Sequence, residues 1–202
     1  MSEQREAMRI ILAGLGGQGV VFATRVLAQT AVVLGRPVVA CETHGMTQRG
    51  GSVLSHVTVG GDVAPAIRRG TADVLLAFDH DEGLRNLSYL RPGAVGFVNT
   101  RRPLPPQIRE PCDRLGLRLF PWDATTPALE LGSPAVANML LVGYAAAHPA
   151  FELRLDVLRQ ALLAAGRRAA ERNRLALDRG YRAGQTAFGA RIQRPIEERM
   201  PL

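Results

Sequence analysis

The sequence predicts an α/β fold in which helices flank a mainly parallel sheet. Apolar runs of strand length alternate with helical patterns through most of its 202 residues. The first run leads at once into glycine-rich residues 14–19 and then into a helix, as in a Rossmann-like strand–helix unit. Helical patterns also close the chain. We therefore expect a single domain over residues 8–190 with C-terminal helices, and flexible termini at 1–7 and 191–202.

Five strands are predicted in the first hundred residues. They are short apolar runs at 8–14, 37–42, 52–59, 72–79 and 94–99. Between the first two, apolar residues recur at helical spacing over 20–35, which predicts a helix that ends at Gly35. A shorter helix is expected through Leu84 and Leu87, between the last two of these strands.

The second half of the chain is predicted to be mostly helical. A short strand at 117–121 comes first. Ser133 followed by Pro134 is a helix-start signal, with Ser as N-cap and Pro at the first helical position, and the pattern continues through Ala147. An apolar stripe over about 155–182 predicts a last helical region.

Composition indicates a protein that neither crosses nor binds a membrane. The mean hydropathy is +0.02, and no apolar run approaches the roughly 18 residues that span a bilayer. The first seven residues are charged and lack a signal-peptide pattern, so we expect a cytoplasmic protein.

Cysteine and histidine usage argues against a metal or cofactor on this chain. Cys41 and Cys112 are the only cysteines, whereas an iron–sulfur cluster needs about four thiolates. The four His residues form no H-x-x-x-H pair, which disfavours a zinc site.

All 25 positive charges are Arg, because the chain has no Lys. Schiff-base chemistry, pyridoxal phosphate attachment and a phosphate-loop lysine are thereby excluded. A net charge of +7 is compatible with nucleic-acid binding. However, the Arg residues are spread along the chain and aromatics are only 5%, so no stacking platform accompanies them. We expect no nucleic-acid partner.

Residues 14–19 read GLGGQG and contain the G-x-G-x-x-G pattern that lets a phosphate approach the start of a helix. Glu42 closes the second predicted strand, where a ribose-binding acid would stand. One hypothesis is therefore a stand-alone NAD(P)-dependent Rossmann oxidoreductase. A phosphate loop is excluded, because Val20 and Val21 occupy the positions of its Lys and Ser/Thr.

A second motif, ETHGMTQRGGSV at residues 42–53, links two predicted strands. It contains more functional side chains than a simple connection between strands requires. Together with residues 14–19, it resembles the gamma subunit, or gamma domain, of the 2-oxoacid:ferredoxin oxidoreductases. Within that family, the resemblance is greatest to the beta subunit of the indolepyruvate enzymes. The family patterns are G-x-G-G-Q-G and E-x-H-G-M-x-Q-R-G-G-S-V. Weaker matches occur at 72–78, 133–143 and 173–181.

This resemblance implies an accessory subunit that has no oxidoreductase activity alone. Enzymes of the family oxidatively decarboxylate a 2-oxoacid to an acyl-CoA and pass the electrons to ferredoxin. The resemblance places thiamine diphosphate, Mg and the [4Fe-4S] clusters in a larger catalytic partner, with CoA as co-substrate. It also favours an arylpyruvate such as indolepyruvate as the substrate.

The resemblance further implies that both motifs are loops at the interface with the catalytic subunit. The predicted interface or ligand-proximal residues are Gly16, Gly17, Gln18, Gly19, Glu42, His44, Gly45, Met46, Gln48, Arg49, Gly50, Gly51 and Ser52. No catalytic residue is assigned. Arg49 is the residue best suited to a partner carboxylate or a CoA phosphate. A third hypothesis is a scaffold that contacts no ligand.

Overall fold

A computed structural model describes residues 7–44, 50–61, 64–164 and 167–192, with backbone only at 44, 167–169 and 190–192. Its strands are β1 (Met8–Leu15), β2 (Val38–His44), β3 (Ser52–Val59), β4 (Ala72–Ala77), β5 (Leu90–Asn99) and β6 (Arg118–Trp122). They form one sheet in the order β2-β3-β1-β4-β5-β6. β1, β4, β5 and β6 are mutually parallel, while β3 is antiparallel to both β1 and β2. The prediction of a mainly parallel sheet is confirmed.

The helices in the described ranges are α1 (Val20–Val33), α2 (His80–Arg85), α3 (Arg109–Arg114), α4 (Thr125–Glu130), α5 (Ala137–Ala146), α6 (Leu155–Ala164) and α7 (Arg167–Ile192). None of these helices combines the length and apolar character needed to cross a membrane. Short 3₁₀ turns occur at Leu87–Tyr89, Pro106–Ile108 and Pro134–Val136.

The structure differs from the sequence predictions for the C-terminal half at two places. The helical region expected over 155–182 consists of two helices, α6 and α7, and α7 continues to Ile192, two residues into the segment expected to be flexible. The helix expected from Pro134 begins as a 3₁₀ turn, and the Ser133 side chain makes no cap hydrogen bond to it. Residues 1–6 and 193–202 lie outside the described residues.

The central strands are buried on both faces, which explains their continuous apolar runs. On one face, Ile10 and Leu12 of β1 belong to the main core, together with Leu27 of α1. On the other face, Ile11 and Ala13 belong to a second, smaller core. Helices therefore cover both sides of the sheet and leave the ends of the strands accessible for a site.

The contact between α5 and α7 depends on glycine. A methyl group on Gly143 would overlap the carbonyl oxygen of Leu177, and one on Gly180 would overlap the carbonyl oxygen of Leu140. A methyl group on Gly184 would lie 2.5 Å from the carbonyl oxygen of Tyr144. The two helices therefore pack backbone against backbone. Together with the sheet on its other side, α7 buries nearly all of α5.

His56 on β3 provides a test of pH dependence. Its Nδ1 accepts a hydrogen bond from the Ile67 N–H at 3.1 Å, and burial lowers the pKa of the imidazole. The unfolded chain therefore binds a proton at higher pH than the folded protein. We expect the stabilising contribution of His56 to be complete above about pH 6.5 and to be lost as the pH falls through the lowered pKa.

Urea unfolding at pH 7.5 and 5.5 measures this loss. The His56→Asn variant offers an acceptor near the Nδ1 position but does not titrate, so its free energy of unfolding should depend less on pH than that of the native chain. Equal pH dependence of the two proteins would show that His56 does not contribute.

Candidate functional site

The glycine-rich loop connects β1 to α1 at the carboxyl edge of the parallel strands. Gly17 and Gly19 adopt positive φ angles of 97° and 76°, which residues other than glycine rarely adopt. A methyl group on Gly19 would also overlap the side-chain amide of Asn138, whose Nδ2 donates to the Gly19 carbonyl oxygen at 3.2 Å. The start of α1 is thus joined to the start of α5.

Gln18 folds back onto its own loop. Its Oε1 accepts a hydrogen bond from the Leu15 N–H at 2.8 Å, at the point where β1 ends. A Cβ at Gly14 would lie 2.9 Å from that oxygen, so glycine at 14 leaves room for the Gln18 side chain. The Gln18 oxygen therefore supports the loop, and a contact between Gln18 and a partner stays a prediction.

The second motif meets the first at its C-terminal end. The Gly16 N–H donates to the Gly51 carbonyl oxygen at 2.8 Å. Gly50 has a φ of 76°, which directs the chain into β3. The structure therefore brings together two loops that lie about 35 residues apart in the sequence.

Several predicted site residues cannot be placed in this way. Gly45, Met46, Gln48 and Arg49 lie outside the described residues, and His44 is described only as the backbone end of β2. Their roles remain predictions.

Glu42 does not stand where a dinucleotide-binding enzyme needs it. It pairs with Ser55 of β3, and Ser55 pairs in turn with Leu12 of β1. Because β3 lies between β1 and β2, Glu42 is separated from β1 by two strand spacings, about 9–10 Å. In the Rossmann fold, the acid-bearing strand is the immediate parallel neighbour of the first strand. This feature argues against the NAD(P) hypothesis.

Ser52, the last predicted site residue, is bound to a buried carboxylate. Its Oγ donates to Oε2 of Glu82 at 2.5 Å. The side chain of Glu82 is 2% exposed, and its Oε1 pairs with Arg85. Sequence reasoning missed Glu82. The only local signal is its spacing of three residues from Asp79, which is typical of a helix start but does not predict a contact with β3.

Two cavities adjoin the glycine-rich loop. One, of about 250 Å³, lies at the carboxyl edge of the sheet and is lined in part by Gln18, Asn99 and Asn138. The other, of about 630 Å³, lies between the loop and the apolar side chains of Phe22, Leu131 and Leu175. In the described parts of the chain, no three His, Cys, Asp or Glu side chains are grouped so as to hold a metal ion.

Comparisons with known proteins identify the family. The family described as pyruvate ferredoxin/flavodoxin oxidoreductase matches residues 9–183. The indolepyruvate oxidoreductase subunit IorB of Pyrococcus horikoshii is 33% identical over an aligned length of 198 residues. The match covers 87% of this chain and 95% of that protein. The 2-oxoglutarate synthase subunit KorC of Methanothermobacter marburgensis is 29% identical over 136 residues, covering 66% and 73%.

Solved structures share the fold. The gamma subunit of a keto/oxoacid ferredoxin oxidoreductase from Geobacter sulfurreducens has a TM-score of 0.70 at 23% identity, and the match covers 89% of this chain and 99% of that one. The 2-oxoglutarate:ferredoxin oxidoreductase of Magnetococcus marinus has a TM-score of 0.71 at 20% identity, but the match covers only 32% of its chain. The fold of the present chain therefore occurs both as a separate subunit and within a longer chain.

Proposed function

Since the chain belongs to the pyruvate ferredoxin/flavodoxin oxidoreductase family as a small subunit of a 2-oxoacid:ferredoxin oxidoreductase, we propose that its enzyme acts on an arylpyruvate such as indolepyruvate. The similarity to indolepyruvate oxidoreductase subunits over nearly their whole length supports this substrate class. The product is an acyl-CoA, and the electrons leave through ferredoxin.

The observation that supports the proposed role of this chain at a subunit interface is the junction between the two motif loops. Gly16 and Gly51 bind each other at the carboxyl edge of the sheet, where open α/β folds place their sites. Both loops consist largely of backbone and small residues near this junction, so a partner surface can approach them closely. We assign this edge to the interface with the catalytic subunit.

The cofactors are assigned to the partner because this chain cannot hold a cluster. Cys41 lies on β2 and Cys112 lies in α3, and two thiolates are half of what a [4Fe-4S] cluster requires. Thiamine diphosphate with Mg is placed in the same catalytic subunit. The role of the present chain is then to complete the site with its loops, and the side chain proposed to bind CoA or a carboxylate of the partner is that of Arg49.

Assembly is the first test of this proposal. Co-expression with the catalytic subunit from the same host should give one peak in size-exclusion chromatography, with the absorbance of iron–sulfur clusters. Separate peaks at micromolar concentration would refute the subunit interface.

Activity is the second test. The isolated chain should give no detectable turnover of indolepyruvate and CoA with an artificial electron acceptor, whereas the reconstituted complex should turn over. The melting temperature of the isolated chain should not shift with NAD(H) or NADP(H). Turnover by the chain alone, or a shift of several degrees in its melting temperature with a nicotinamide nucleotide, would instead support the hypothesis of a stand-alone enzyme.

A further inference from the structure

The larger of the two cavities, of about 630 Å³, lies where the glycine-rich loop, the 3₁₀ turn before α5 and the first turns of α7 meet. Phe22, Leu131 and Leu175 form its apolar walls and come from three separate parts of the chain. Gly17 and Gly19 belong both to the lining of the cavity and to the loop. The cavity is therefore continuous with the edge that is proposed to contact the catalytic subunit.

Two polar residues that line this cavity have side chains without a hydrogen-bond partner in the described parts of the chain. Asn173 of α7 is only 7% exposed, yet its amide makes no hydrogen bond there. Ser133 is half-buried, and its hydroxyl neither caps the 3₁₀ turn nor binds another group in the same ranges. Buried polar groups in folded proteins are nearly always hydrogen-bonded. An amide and a hydroxyl left unpaired at one open cavity therefore indicate a site for something that binds there.

The opening of the cavity favours a protein segment over a small molecule. Leu175 belongs to the apolar wall but is 44% exposed. A ligand enclosed by the cavity would leave part of this side chain in water, whereas a protein surface would cover it, and the burial of apolar area stabilises such a contact.

The charges at the cavity favour a partner with one carboxylate. Arg172, one turn before Leu175 on α7, is exposed and forms no ion pair within the described ranges. Glu171, which also lines the cavity, is already paired with Arg174. Arg172 is the one cationic side chain among the described residues that line the cavity. A single guanidinium suits a single carboxylate better than the several phosphates of CoA.

We propose that this cavity is the anchor site for a segment of the catalytic subunit that carries a large apolar side chain next to an Asp or Glu. The apolar side chain enters between the three apolar walls, and the backbone beside it binds the Asn173 amide and the Ser133 hydroxyl. The carboxylate pairs with Arg172. A few side chains in well-packed pockets supply most of the affinity of a protein interface. This inference rests on the proposed role of the chain at a subunit interface.

The first experiment compares two leucines of similar exposure. Leu175→Asp places a charge in the apolar wall of the cavity. Leu115 is 41% exposed, but it lies just before β6 at the opposite, amino edge of the sheet, so Leu115→Asp is the matched control. In titrations with the catalytic subunit, Leu175→Asp should raise the Kd about tenfold or more, and Leu115→Asp should leave it within about twofold. Circular dichroism should show that both variants are folded.

The second experiment separates binding from stability. Asn173→Leu replaces an unpaired amide by an apolar side chain, and such a replacement is close to neutral or stabilising. The melting temperature of the full chain without its partner should therefore stay the same or rise, while the Kd for the catalytic subunit rises about fivefold, because the partner backbone loses a hydrogen bond. A fall in the melting temperature would show that Asn173 supports the fold instead, and would overturn its role in binding.

Photocrosslinking identifies the occupant. With p-benzoylphenylalanine in place of Leu175, irradiation of the complex should join this chain to a peptide of the catalytic subunit that contains an apolar residue beside an Asp or Glu. Crosslinks to a second copy of this chain would overturn the proposal. So would variants that raise the KM for CoA but leave the Kd for the catalytic subunit unchanged, because the cavity would then hold a small molecule.

Failure of the anchor site and failure of the proposed function give different results. If the native chain binds the catalytic subunit and both Leu175→Asp and Asn173→Leu bind equally well, the anchor site is refuted and the proposed function stands. If the native chain forms no complex with the catalytic subunit, the proposed function is refuted, and the anchor site with it.

Discussion

Gly180→Ala is expected to lower the free energy of unfolding by about 3 kcal/mol, at the upper end of the usual cost of overpacking. The added methyl group would overlap the carbonyl oxygen of Leu140 in α5. Backbone atoms cannot rotate away as side chains do, so α5 and α7 must separate. Because Leu140 and Leu177 at this crossing are completely buried, the separation also loosens the main core. Urea unfolding of the isolated chain, followed by circular dichroism, measures the change.

Gly189→Ala is the matched control, because Gly189 lies on the same helix and a Cβ there would meet nothing within 4 Å. Ala favours a helix over Gly by up to about 1 kcal/mol, so this variant should be as stable as the native chain or more stable. Equal destabilisation by the two substitutions would show that the close approach of α5 and α7 is not what requires glycine at 180.

Arg49→Lys is expected to raise the KM for CoA or the Kd for the catalytic subunit about tenfold, while the isolated chain keeps its melting temperature. A guanidinium can bind a carboxylate or phosphate through two parallel hydrogen bonds, which an ammonium group cannot copy. Hydrogen bonds to charged groups contribute about 1.5–3 kcal/mol each, and a tenfold change corresponds to about 1.4 kcal/mol. Steady-state kinetics of the complex and titration of the partner give the two constants.

Arg154→Lys provides the control for the loss of a guanidinium. Arg154 is exposed and pairs with Asp156 at the start of α6, and surface pairs of this kind contribute little. It should leave the KM for CoA and the affinity for the partner unchanged. If Arg49→Lys also leaves the KM for CoA and the affinity for the partner unchanged, the result supports the scaffold hypothesis. The composition of residues 42–53 then lacks a chemical explanation.

Local sequence patterns predict where strands and helices occur. They predict less well which of these elements lie next to one another in the fold. The apolar run of β1 and the glycines after it identified the first strand–helix unit, because strand and turn chemistry are both local. The position of β3 between β1 and β2 was not foreseen, since no local pattern specifies the order of strands in a sheet. As a result, Glu42 was placed beside the glycine-rich loop, although β3 separates them.

The same limit applies to the site and to the helix packing. Ser52 and Glu82 are 30 residues apart, and nothing in either segment indicates that a hydroxyl and a buried carboxylate will meet. Gly180 and Gly184 stand four residues apart, a spacing that puts both on one face of a helix. That spacing could have predicted a close helix contact, but it does not identify α5 as the neighbour.

The antiparallel pairing of β3 with β2 brings the ends of the two strands together at His44 and Val53, and the second motif contains the residues between these ends. Pairing runs from Val38 opposite Val59 to His44 opposite Val53, and the burial of Val53, Val57 and Val59 on β3 specifies this register strongly. We therefore expect the sheet to keep its alignment when side chains between His44 and Ser52 are substituted. The residues proposed for recognition between His44 and Ser52 are therefore separate from the buried residues that align the sheet, so substitutions that change the proposed interface need not change the core.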